Sequence, residues 1–347
     1  PTKTLSGGEA QRVAIATQLA SSLCGVLYIL DEPSIGLHPV DIDMLIEQLR
    51  HLASMGNTVV TVEHEPSVIK ASDHILELGP GAGSKGGRLV FSGTLDEFKS
   101  SGTLTANYLY GKEAIQVPRW RRNGSGRFLT LYGATGNNLR SVDLKVPLKA
   151  MTCVTGVSGS GKSTLVVDTL YRVLASIFGI KSDPPAPYRS FEGAGYISGV
   201  NMVDQSPIGR TPRSNPLTYI GGFDYIRRLY ASLNSARAMG LTPGDFSFNL
   251  KGGRCEECKG EGVKKLEMYF LPDVYVKCAA CGGKRYKSHV LQARYRGKSI
   301  YDCLEMTFEE AGSLLPAGHE LQKRFSVLID IGLGYLKLGQ SATTLSG

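Results

Sequence analysis

A glycine- and serine-rich segment, GVSGSGKST, occupies residues 156–164 and directly follows the apolar run MTCVT at 151–155. The pattern G-x-x-x-x-G-K-[ST] is typical of a phosphate-binding loop when a strand precedes it and a helix follows it. Backbone N–H groups of such a loop face phosphate oxygens, and the following helix adds its positive N-terminal end. Lys162 is expected to reach the β- and γ-phosphates, and the Ser163 hydroxyl to ligate Mg²⁺. An apolar helix pattern over 165–174 argues against a chance Gly/Ser turn. The predicted nucleotide contacts in this loop are Gly156, Ser158, Gly159, Ser160, Gly161, Lys162, Ser163 and Thr164.

Two carboxylates and a histidine lie at the ends of two predicted strands. Asp31 and Glu32 close the apolar run of residues 26–30, and His64 closes the run TVEH at 61–64. An aspartate in this position can hold Mg²⁺, and the glutamate can polarise an attacking water. A lone histidine at a strand end is ordinarily structural. At this spacing after an acid pair, we interpret His64 as a sensor of the γ-phosphate.

The segment LSGGEAQ at residues 5–11 opens a helix with apolar periodicity. Ser6 suits the N-cap of that helix, while Gly7 and Gly8 allow a phosphate to approach the backbone, where the helix dipole favours an anion. A capped, glycine-rich helix start is a weak signal by itself. It gains meaning only together with the acid pair that follows about twenty residues later.

Four cysteines form two Cys-x-x-Cys pairs, at 255 and 258 and at 278 and 281, with nineteen residues between the pairs. Four thiolates satisfy tetrahedral Zn²⁺ with no open position, so this spacing predicts a structural zinc site rather than a redox pair. Gly260 and Gly283 supply the tight turns that such knuckles need, and residues 262–271 resemble one arm of a zinc-based hairpin. Cys24, Cys153 and Cys303 lie in apolar surroundings and are predicted to be buried thiols.

The elements that must position these residues alternate between strand and helix over the first hundred residues, as in a parallel sheet with crossovers. Strands are predicted at 26–30, 57–62 and 74–78, with a helix over 40–54, and the all-apolar first strand is expected to be buried on both faces. Residues 119–126 are polar, basic and glycine-containing, which is typical of a linker. A second sheet is predicted to begin near Phe128, and beyond about Gln205 the sequence becomes irregular.

Composition and charge set limits on the class of protein. At 347 residues, with 42% hydrophobic and 20% charged residues, the chain is long enough for two domains and has no apolar run of transmembrane length or secretory leader. A cytosolic location is therefore the default expectation.

Residues 251–300 hold twelve Lys/Arg against five Asp/Glu, a net +7 of the total +8. Such localised positive charge favours an anionic polymer as partner, with a solvated charged face as the alternative. The basic residues predicted to contact phosphates of such a polymer are Lys264, Lys265, Lys284, Arg285 and Lys287.

The segments around residues 5–11, 31–32, 34–37 and 64 resemble, in this order, the signature, Walker B, D-loop and switch histidine of the ABC ATPase superfamily. In that superfamily the phosphate loop precedes the signature, whereas here it follows by about 150 residues. The tetrapeptide TLSG also occurs both at 4–7 and at 344–347. These features suggest a tandem duplication cut inside both copies, rather than one permuted domain.

Several longer stretches are similar to the UvrA family of damage-sensing ATPases in bacterial nucleotide excision repair. They are LDEPSIGLH (30–38), LGPGAG (78–83), GVSGSGKST (156–164), DQSPIGRTPRSNP (204–216), FSFNLKGGRCEECKGEG (246–262), FLPDVYVKC (270–278) and GLGYLKLGQSATTLSG (332–347). The resemblance implies a cytoplasmic DNA-repair ATPase, associated with the SOS response, that uses ATP, Mg²⁺ and Zn²⁺. It also implies binding to distorted double-stranded DNA, homodimerisation, and handover to the helicase subunit UvrB through a region before Pro1. Gln205 matches the family's Q-loop, a contact to Mg²⁺ and the γ-phosphate, and Arg210 and Arg213 would tie nucleotide state to DNA binding.

The resemblance also predicts a domain organisation. Residues 1–118 would be the C-terminal part of a first ABC domain, 119–127 a linker, and 128–205 the N-terminal part of a second. Residues 206–347 would be an insertion in that second domain, with the zinc module at about 250–290. ATP would lie between domains, shared by Lys162, Ser163 and Gln205 on one side and the signature on the other. This piece alone is expected to turn over no ATP.

Three other interpretations remain open from the sequence. A different soluble tandem ABC ATPase is disfavoured by the Cys-x-x-Cys insertion and by DQSPIGRTPRSNP. A non-catalytic zinc or nucleic-acid-binding module is disfavoured by intact Lys162, Asp31 and Glu32. A diverged paralogue of the repair ATPase shares all of these motifs, and the sequence does not separate it from the repair enzyme. Where an aspartate is expected after the switch histidine, the chain has Glu65.

Overall fold

The computed structural model describes residues 13, 16–17, 23–204, 208–209, 211–266, 274–316 and 318–344. The predicted signature residues Ser6, Gly7 and Gly8, together with Gln205 and Arg210, lie outside these ranges. The chain divides into two compact units, one of residues 1–80 and 88–203 and the other of residues 81–87 and 204–347. Strands and helices are combined as the predicted α/β class requires, while the domain boundaries at 118, 127 and 205 stay a prediction.

The first unit contains a parallel pair of strands, β1 (Leu27–Asp31) and β2 (Thr58–Val62), connected by helix α1 (Pro39–Ser54). Their register runs from Leu27 opposite Thr58 to Asp31 opposite Val62. Helix α1 begins at a proline in its first turn, which suits a position where no N–H is needed. Its buried Leu45 and Leu49 pack against β1 and β2. The predicted helix over 40–54 and both strands are confirmed.

The face of β1 and β2 turned away from α1 is exposed, so the prediction of a strand buried on both faces is wrong. Ile29 is 70% exposed, and Leu27, Val60 and Val62 also face solvent. Because successive strand residues point to opposite faces, α1 covers only the alternate set. Within the described residues the sheet has two strands, and no second layer covers the other side.

A buried amide fixes how these two strands start. Asn57 precedes β2, is buried, and accepts a hydrogen bond through Oδ1 from the Val26 backbone N–H at 3.0 Å. Its Nδ2 donates to the carbonyls of Leu23 at 3.0 Å and Leu52 at 3.1 Å. One side chain therefore connects the start of β1, the start of β2 and the end of α1.

The next elements of the first unit form an antiparallel pair rather than a further parallel strand. Strand β3 (Ile75–Gly79) pairs with β4 (Arg88–Gly93), and helix α2 (Pro66–Ala71) precedes them. Helices α3 (Leu95–Ser100) and α4 (Leu104–Leu109) follow. A small core joins Ile75, Phe98 and Ala106. The predicted third strand is thus confirmed in position, but its parallel pairing is not.

A three-stranded antiparallel sheet is formed by two strands that precede the phosphate loop in sequence and one that follows it. It has the order β6 (Val142–Pro147), β5 (Phe128–Ala134), β7 (Ser190–Glu192), which confirms a sheet beginning at Phe128. Leu131 and Ala134 of β5 pack on Leu165 and Val173 of the helix after the loop. That helix is π-helical over Thr164–Tyr171 and continues as α5 (Arg172–Ile177).

The strand predicted at 151–155 is not formed. Met151 is 98% exposed and Cys153 is exposed as well. A strand requires a neighbour to satisfy its backbone N–H and C=O groups, and no described strand pairs with this segment. Cys24 is exposed too, so two of the three predicted buried thiols are wrong. Cys303 is buried as predicted, and burial raises the pKa of its thiol to about 12.

The second unit is mainly helical, although its sequence was expected to be irregular. Its helices are α6 (Pro216–Tyr219), α7 (Phe223–Ala231), α8 (Asn234–Ala238), α9 (Ile300–Glu305), α10 (Phe308–Ala311) and α11 (Glu320–Asp330). They enclose a core centred on Tyr230, Phe246, Phe248 and Tyr286. An antiparallel hairpin of β8 (Val263–Leu266) and β9 (Val274–Lys277) extends the unit. No described helix is both long and apolar enough to span a bilayer.

Removing one buried hydroxyl should measurably weaken the second unit. The Tyr230 hydroxyl donates to the carbonyls of Lys298 at 2.9 Å and Ser299 at 3.0 Å, so Tyr230→Phe leaves both without this donor. We expect the free energy of unfolding, measured in urea, to fall by about 1–3 kcal/mol. Tyr219→Phe is the control, since Tyr219 is 66% exposed and should change nothing. Equal stability of the two variants would contradict the role of the hydroxyl.

Candidate functional site

The phosphate loop has the backbone that its glycines allow. Gly156, Gly159 and Gly161 have φ values of 148°, 73° and 97°, in the region that L side chains rarely adopt. Inside the loop the Ser160 N–H donates to the Val157 carbonyl at 3.2 Å, and helical bonding resumes with the Leu165 N–H donating to the Gly161 carbonyl at 2.9 Å. The loop is therefore compact and leads straight into a helix.

Lys162 folds over this loop rather than out into solvent. Its Nζ donates to the carbonyls of Gly156 at 2.7 Å and Val157 at 2.8 Å. A phosphate oxygen would offer the ammonium a charged acceptor in place of these neutral carbonyls, and charge-assisted hydrogen bonds are the stronger ones. The lysine is thus held in reach of the loop's concave side.

The acid pair and the histidine meet at the carboxyl ends of the parallel strands. Asp31 is the last residue of β1, and the Glu32 N–H donates to the Val62 carbonyl at 2.9 Å. Glu32 has φ 44°, an uncommon left-handed conformation for a residue with a side chain. Its Oε1 lies 3.9 Å from Nδ1 of His64, whose side chain is 77% exposed. The structure therefore brings the predicted water-polarising residue and the predicted sensor together.

Glu63 joins the predicted D-loop to the predicted switch histidine, a contact that no sequence pattern indicated. Its Oε1 accepts the Ser34 N–H at 2.8 Å, and its Oε2 accepts the Ser34 hydroxyl at 2.9 Å. The same Oε2 accepts the backbone N–H of His64 at 3.1 Å. One carboxylate thus fixes the loop after β1 to the loop after β2. Only its position, one residue before His64, could have drawn attention to it.

The four predicted zinc ligands converge. Their sulfur atoms all lie within 4.8 Å of one another. The Cys255 and Cys278 sulfurs are 4.0 Å apart, and those of Cys258 and Cys281 are 3.7 Å apart. A tetrahedral ZnS₄ centre with bonds of about 2.3 Å needs sulfur separations of about 3.8 Å, so the donor set fits zinc. Burial raises the pKa of the Cys258 and Cys281 thiols, which a bound cation would offset by stabilising thiolate.

The two Cys-x-x-Cys segments form turns with the same backbone hydrogen bond. The Gly260 N–H donates to the Cys255 carbonyl, and at the same offset the Gly283 N–H donates to the Cys278 carbonyl. Both glycines have positive φ, and a Cβ on Gly260 would lie 1.9 Å from the Phe248 carbonyl oxygen. The turn residues predicted at 260 and 283 are therefore used as expected.

The basic residues predicted to contact DNA do not all share one environment. Lys264 on β8 forms an ion pair with Glu257, while Lys284 and Lys287 are exposed. Lys265 is exposed and lies opposite Tyr275 in the hairpin.

Arg285 lies apart from these lysines. Its Nη2 donates to the Gly339 carbonyl at 3.0 Å, and its guanidinium lies 5.6 Å from the Phe248 ring centre. Desolvation lowers the pKa of Arg285. The structure therefore does not place Arg285 as an exposed phosphate contact. Its location in the unit's interior reflects packing that no sequence pattern signalled.

A phosphate loop, an acid pair with a histidine at the ends of parallel strands, and the surrounding α/β fold define the class of ABC-type ATPases. Within that class the chain is similar to UvrABC system protein A. The protein of that name from Methanothermobacter thermautotrophicus is 53% identical over 99% of this chain and 36% of its own length. The Staphylococcus aureus strain COL protein is 52% identical over the same shares.

The fold agrees with these sequence matches. The crystal structure of UvrA2 from Deinococcus radiodurans superposes with a TM-score of 0.93 at 46% identity, over 99% of this chain and 42% of that one. No protein-family model matches the chain. The chain spans about 36% of the length of the curated relatives above. These matches confirm the resemblance to the UvrA family that the sequence motifs predict.

The cysteine cluster should hold one zinc ion per chain. X-ray absorption of the purified protein should give four sulfur neighbours at about 2.3 Å. A variant with serine at all four positions should lose the zinc and, with it, the amide protection of β8 and β9. Cys24→Ser combined with Cys153→Ser is the matched control, because both thiols are exposed and lie outside the cluster. Zinc well below one equivalent in folded wild-type chain would contradict the assignment.

Proposed function

We propose that this chain is part of an ATP-dependent protein that recognises damaged DNA in nucleotide excision repair. The observation that carries the proposal is the occurrence, in one chain, of a nucleotide phosphate loop and a basic hairpin closed by four cysteines. ABC-type ATP sites couple hydrolysis to movement of an attached element, and here the proposed attached element is a basic hairpin that would contact nucleic acid. The similarity to UvrABC proteins over 99% of the chain supports the same conclusion.

The phosphate loop is the proposed cradle for the ATP phosphates. Its contacts would come from residues 156–164, with Lys162 on the β- and γ-phosphates. In the proposed arrangement ATP lies between two domains. Lys162, Ser163 and Gln205 would then face the signature residues Ser6, Gly7 and Gly8 across the nucleotide.

The acid pair would serve a second ATP site. Glu32 orients and polarises the attacking water, and His64, 3.9 Å away, senses the γ-phosphate. Asp31 here, and Ser163 and Gln205 at the other site, would hold Mg²⁺, which would neutralise charge on the phosphates when bound. Because Glu63 connects the D-loop to His64, a shift at the γ-phosphate would be transmitted to residues 34–37 as a unit.

DNA binding is proposed for the zinc module. The cysteine cluster fixes the base of the β8–β9 hairpin, and Lys264, Lys265, Lys284 and Lys287 lie on or beside it with exposed side chains. Duplex phosphates would compete with the Glu257 carboxylate for Lys264. Exposed Tyr275, opposite Lys265, adds an aromatic surface that could contact distorted DNA.

The complete protein would act in the cytoplasm as a homodimer. It would pass the lesion to UvrB through a region outside this chain. The proposed organisation is two ABC domains joined at residues 119–127, with residues 206–347 as an insertion in the second.

Substitution of the acid and of the loop lysine should separate hydrolysis from binding. In the complete protein that contains this chain, Glu32→Gln should slow ATP hydrolysis about 10²-fold or more at its site with unchanged ATP affinity, since only the water-polarising group is lost. Lys162→Ala should instead weaken ATP binding at the other site. Glu47→Gln and Lys181→Ala are matched controls on exposed positions. Normal turnover in Glu32→Gln would rule out its assigned role.

DNA affinity should depend on salt through the hairpin lysines. Replacing Lys264 and Lys265 with Ala should reduce the log–log salt slope by about 0.9 for each phosphate that the lysines no longer neutralise. Glu257→Gln should do the opposite and tighten binding, because it removes the carboxylate that competes for Lys264. Titrations of a duplex at several salt concentrations measure both effects, with Lys112→Ala combined with Lys323→Ala as control. An unchanged slope in the hairpin variant would favour a merely solvated charged face.

A further inference from the structure

A turn containing two asparagines, Asn137 and Asn138, lies against the phosphate loop. The Asn138 Nδ2 donates to the Gly159 carbonyl at 2.8 Å, and the Asn137 Nδ2 donates to the Thr164 hydroxyl at 3.0 Å. Gly159 lies in the middle of the loop, and Thr164 lies at its end. The turn therefore contacts the loop at two separated points.

The fit between the turn and the loop is close. A Cβ on Gly161 would lie 2.9 Å from Oδ1 of Asn138 and 2.9 Å from a methyl carbon of Leu139. The glycine of the G-K-[ST] motif is thus needed here for this contact as well as for its φ of 97°. Loop and turn have complementary surfaces at this position.

The turn has its own anchors and can therefore serve as a fixed support. The Leu139 N–H donates to the Gly136 carbonyl at 3.0 Å, and the Leu139 side chain packs on the core that contains Leu131 and Leu165. The Thr135 N–H donates to the Pro187 carbonyl at 2.9 Å. Strand β5 thus holds the turn from one side, and the segment leading to β7 holds it from the other.

We propose that Asn138 is a positioning residue for the phosphate loop, a role that rests on the nucleotide site proposed above. A peptide unit is planar and trans, so its carbonyl and the N–H of the next residue point in opposite directions. By holding the Gly159 carbonyl on the turn side, Asn138 directs the Ser160 N–H to the inside of the loop, where it meets the Val157 carbonyl at 3.2 Å. Asn138 thereby fixes the orientation of a donor that a bound phosphate would use.

Hydrogen–deuterium exchange tests this role without any ligand. In the chain of 347 residues, Asn138→Ala should raise exchange at the amides of residues 159–162 by about fivefold, the effect of losing one net hydrogen bond. Asn123→Ala, at an exposed position in the same unit, should leave those amides unchanged. Unchanged exchange in Asn138→Ala would overturn the proposal.

The affinity for Mg-ATP, measured by calorimetry, tests whether Asn138 affects nucleotide binding. Asn138→Ala should weaken it by about fivefold, while the melting temperature should fall by no more than about 2–4 °C. Asn138→Asp should weaken it further, because it removes the donor and adds a negative charge beside the phosphates. Asn138→Gln, which keeps an amide donor, should recover part of the loss. Wild-type affinity in Asn138→Ala, measured where Lys162→Ala has lost binding, would refute the role of Asn138. Equal affinity in wild type and Lys162→Ala would instead refute the nucleotide site. The exchange experiment would then still test whether Asn138 positions the loop backbone.

Discussion

The Glu63 carboxylate and the Asn138 amide each form a side-chain hydrogen bond to the backbone of a neighbouring loop. Each loop contains backbone whose polar groups belong to no helix or strand and are paired in other ways. Each side chain comes from an adjoining loop and bonds directly to that backbone. Glu63 thus connects the segments that carry Ser34 and His64, and Asn138 connects the turn after β5 to the loop that carries Lys162.

The chemistry-bearing motifs could be predicted from sequence because their chemistry requires particular residue types at fixed spacing. Four cysteines in two pairs can hold tetrahedral zinc only if they converge, and they do. The glycines at 156, 159 and 161 likewise indicate positive φ through the motif alone, and all three have it. Helix α1 was predicted from its apolar spacing and begins within one residue of the predicted start.

The predictions that were wrong depended on which other segments lie beside a given strand. An apolar run such as residues 27–30 has the same sequence whether one face or two are covered, and local pattern cannot decide between them. The run at 151–155 also has strand character, yet no described strand pairs with it. Glu63 and Asn138 were missed for a related reason. The sequence does not indicate which backbone groups a polar loop residue will hydrogen-bond.

Counting charge along the sequence does not tell which basic side chains of the second unit are exposed. Of the five basic residues assigned to DNA, Arg285 is held between Phe248 and the Gly339 carbonyl, and Lys264 already has a carboxylate partner. Net charge is a property of composition, whereas a phosphate can bind only to side chains that are exposed to it. Of the five, the four lysines are exposed, whereas Arg285 is held inside the unit.

The hydrogen bonds of Asn57 also determine the register in which β1 and β2 pair. Both faces of β1 and β2 are apolar, so sliding one strand by a single residue would exchange equally apolar sides and meet little hydrophobic resistance. Such a slip would also carry the acid pair about 3.3 Å along the strand, away from the histidine. The buried amide, with partners at Val26, Leu23 and Leu52, can be satisfied in one alignment only. The Asn57 side chain therefore selects one register, whichever aliphatic residue occupies each strand position.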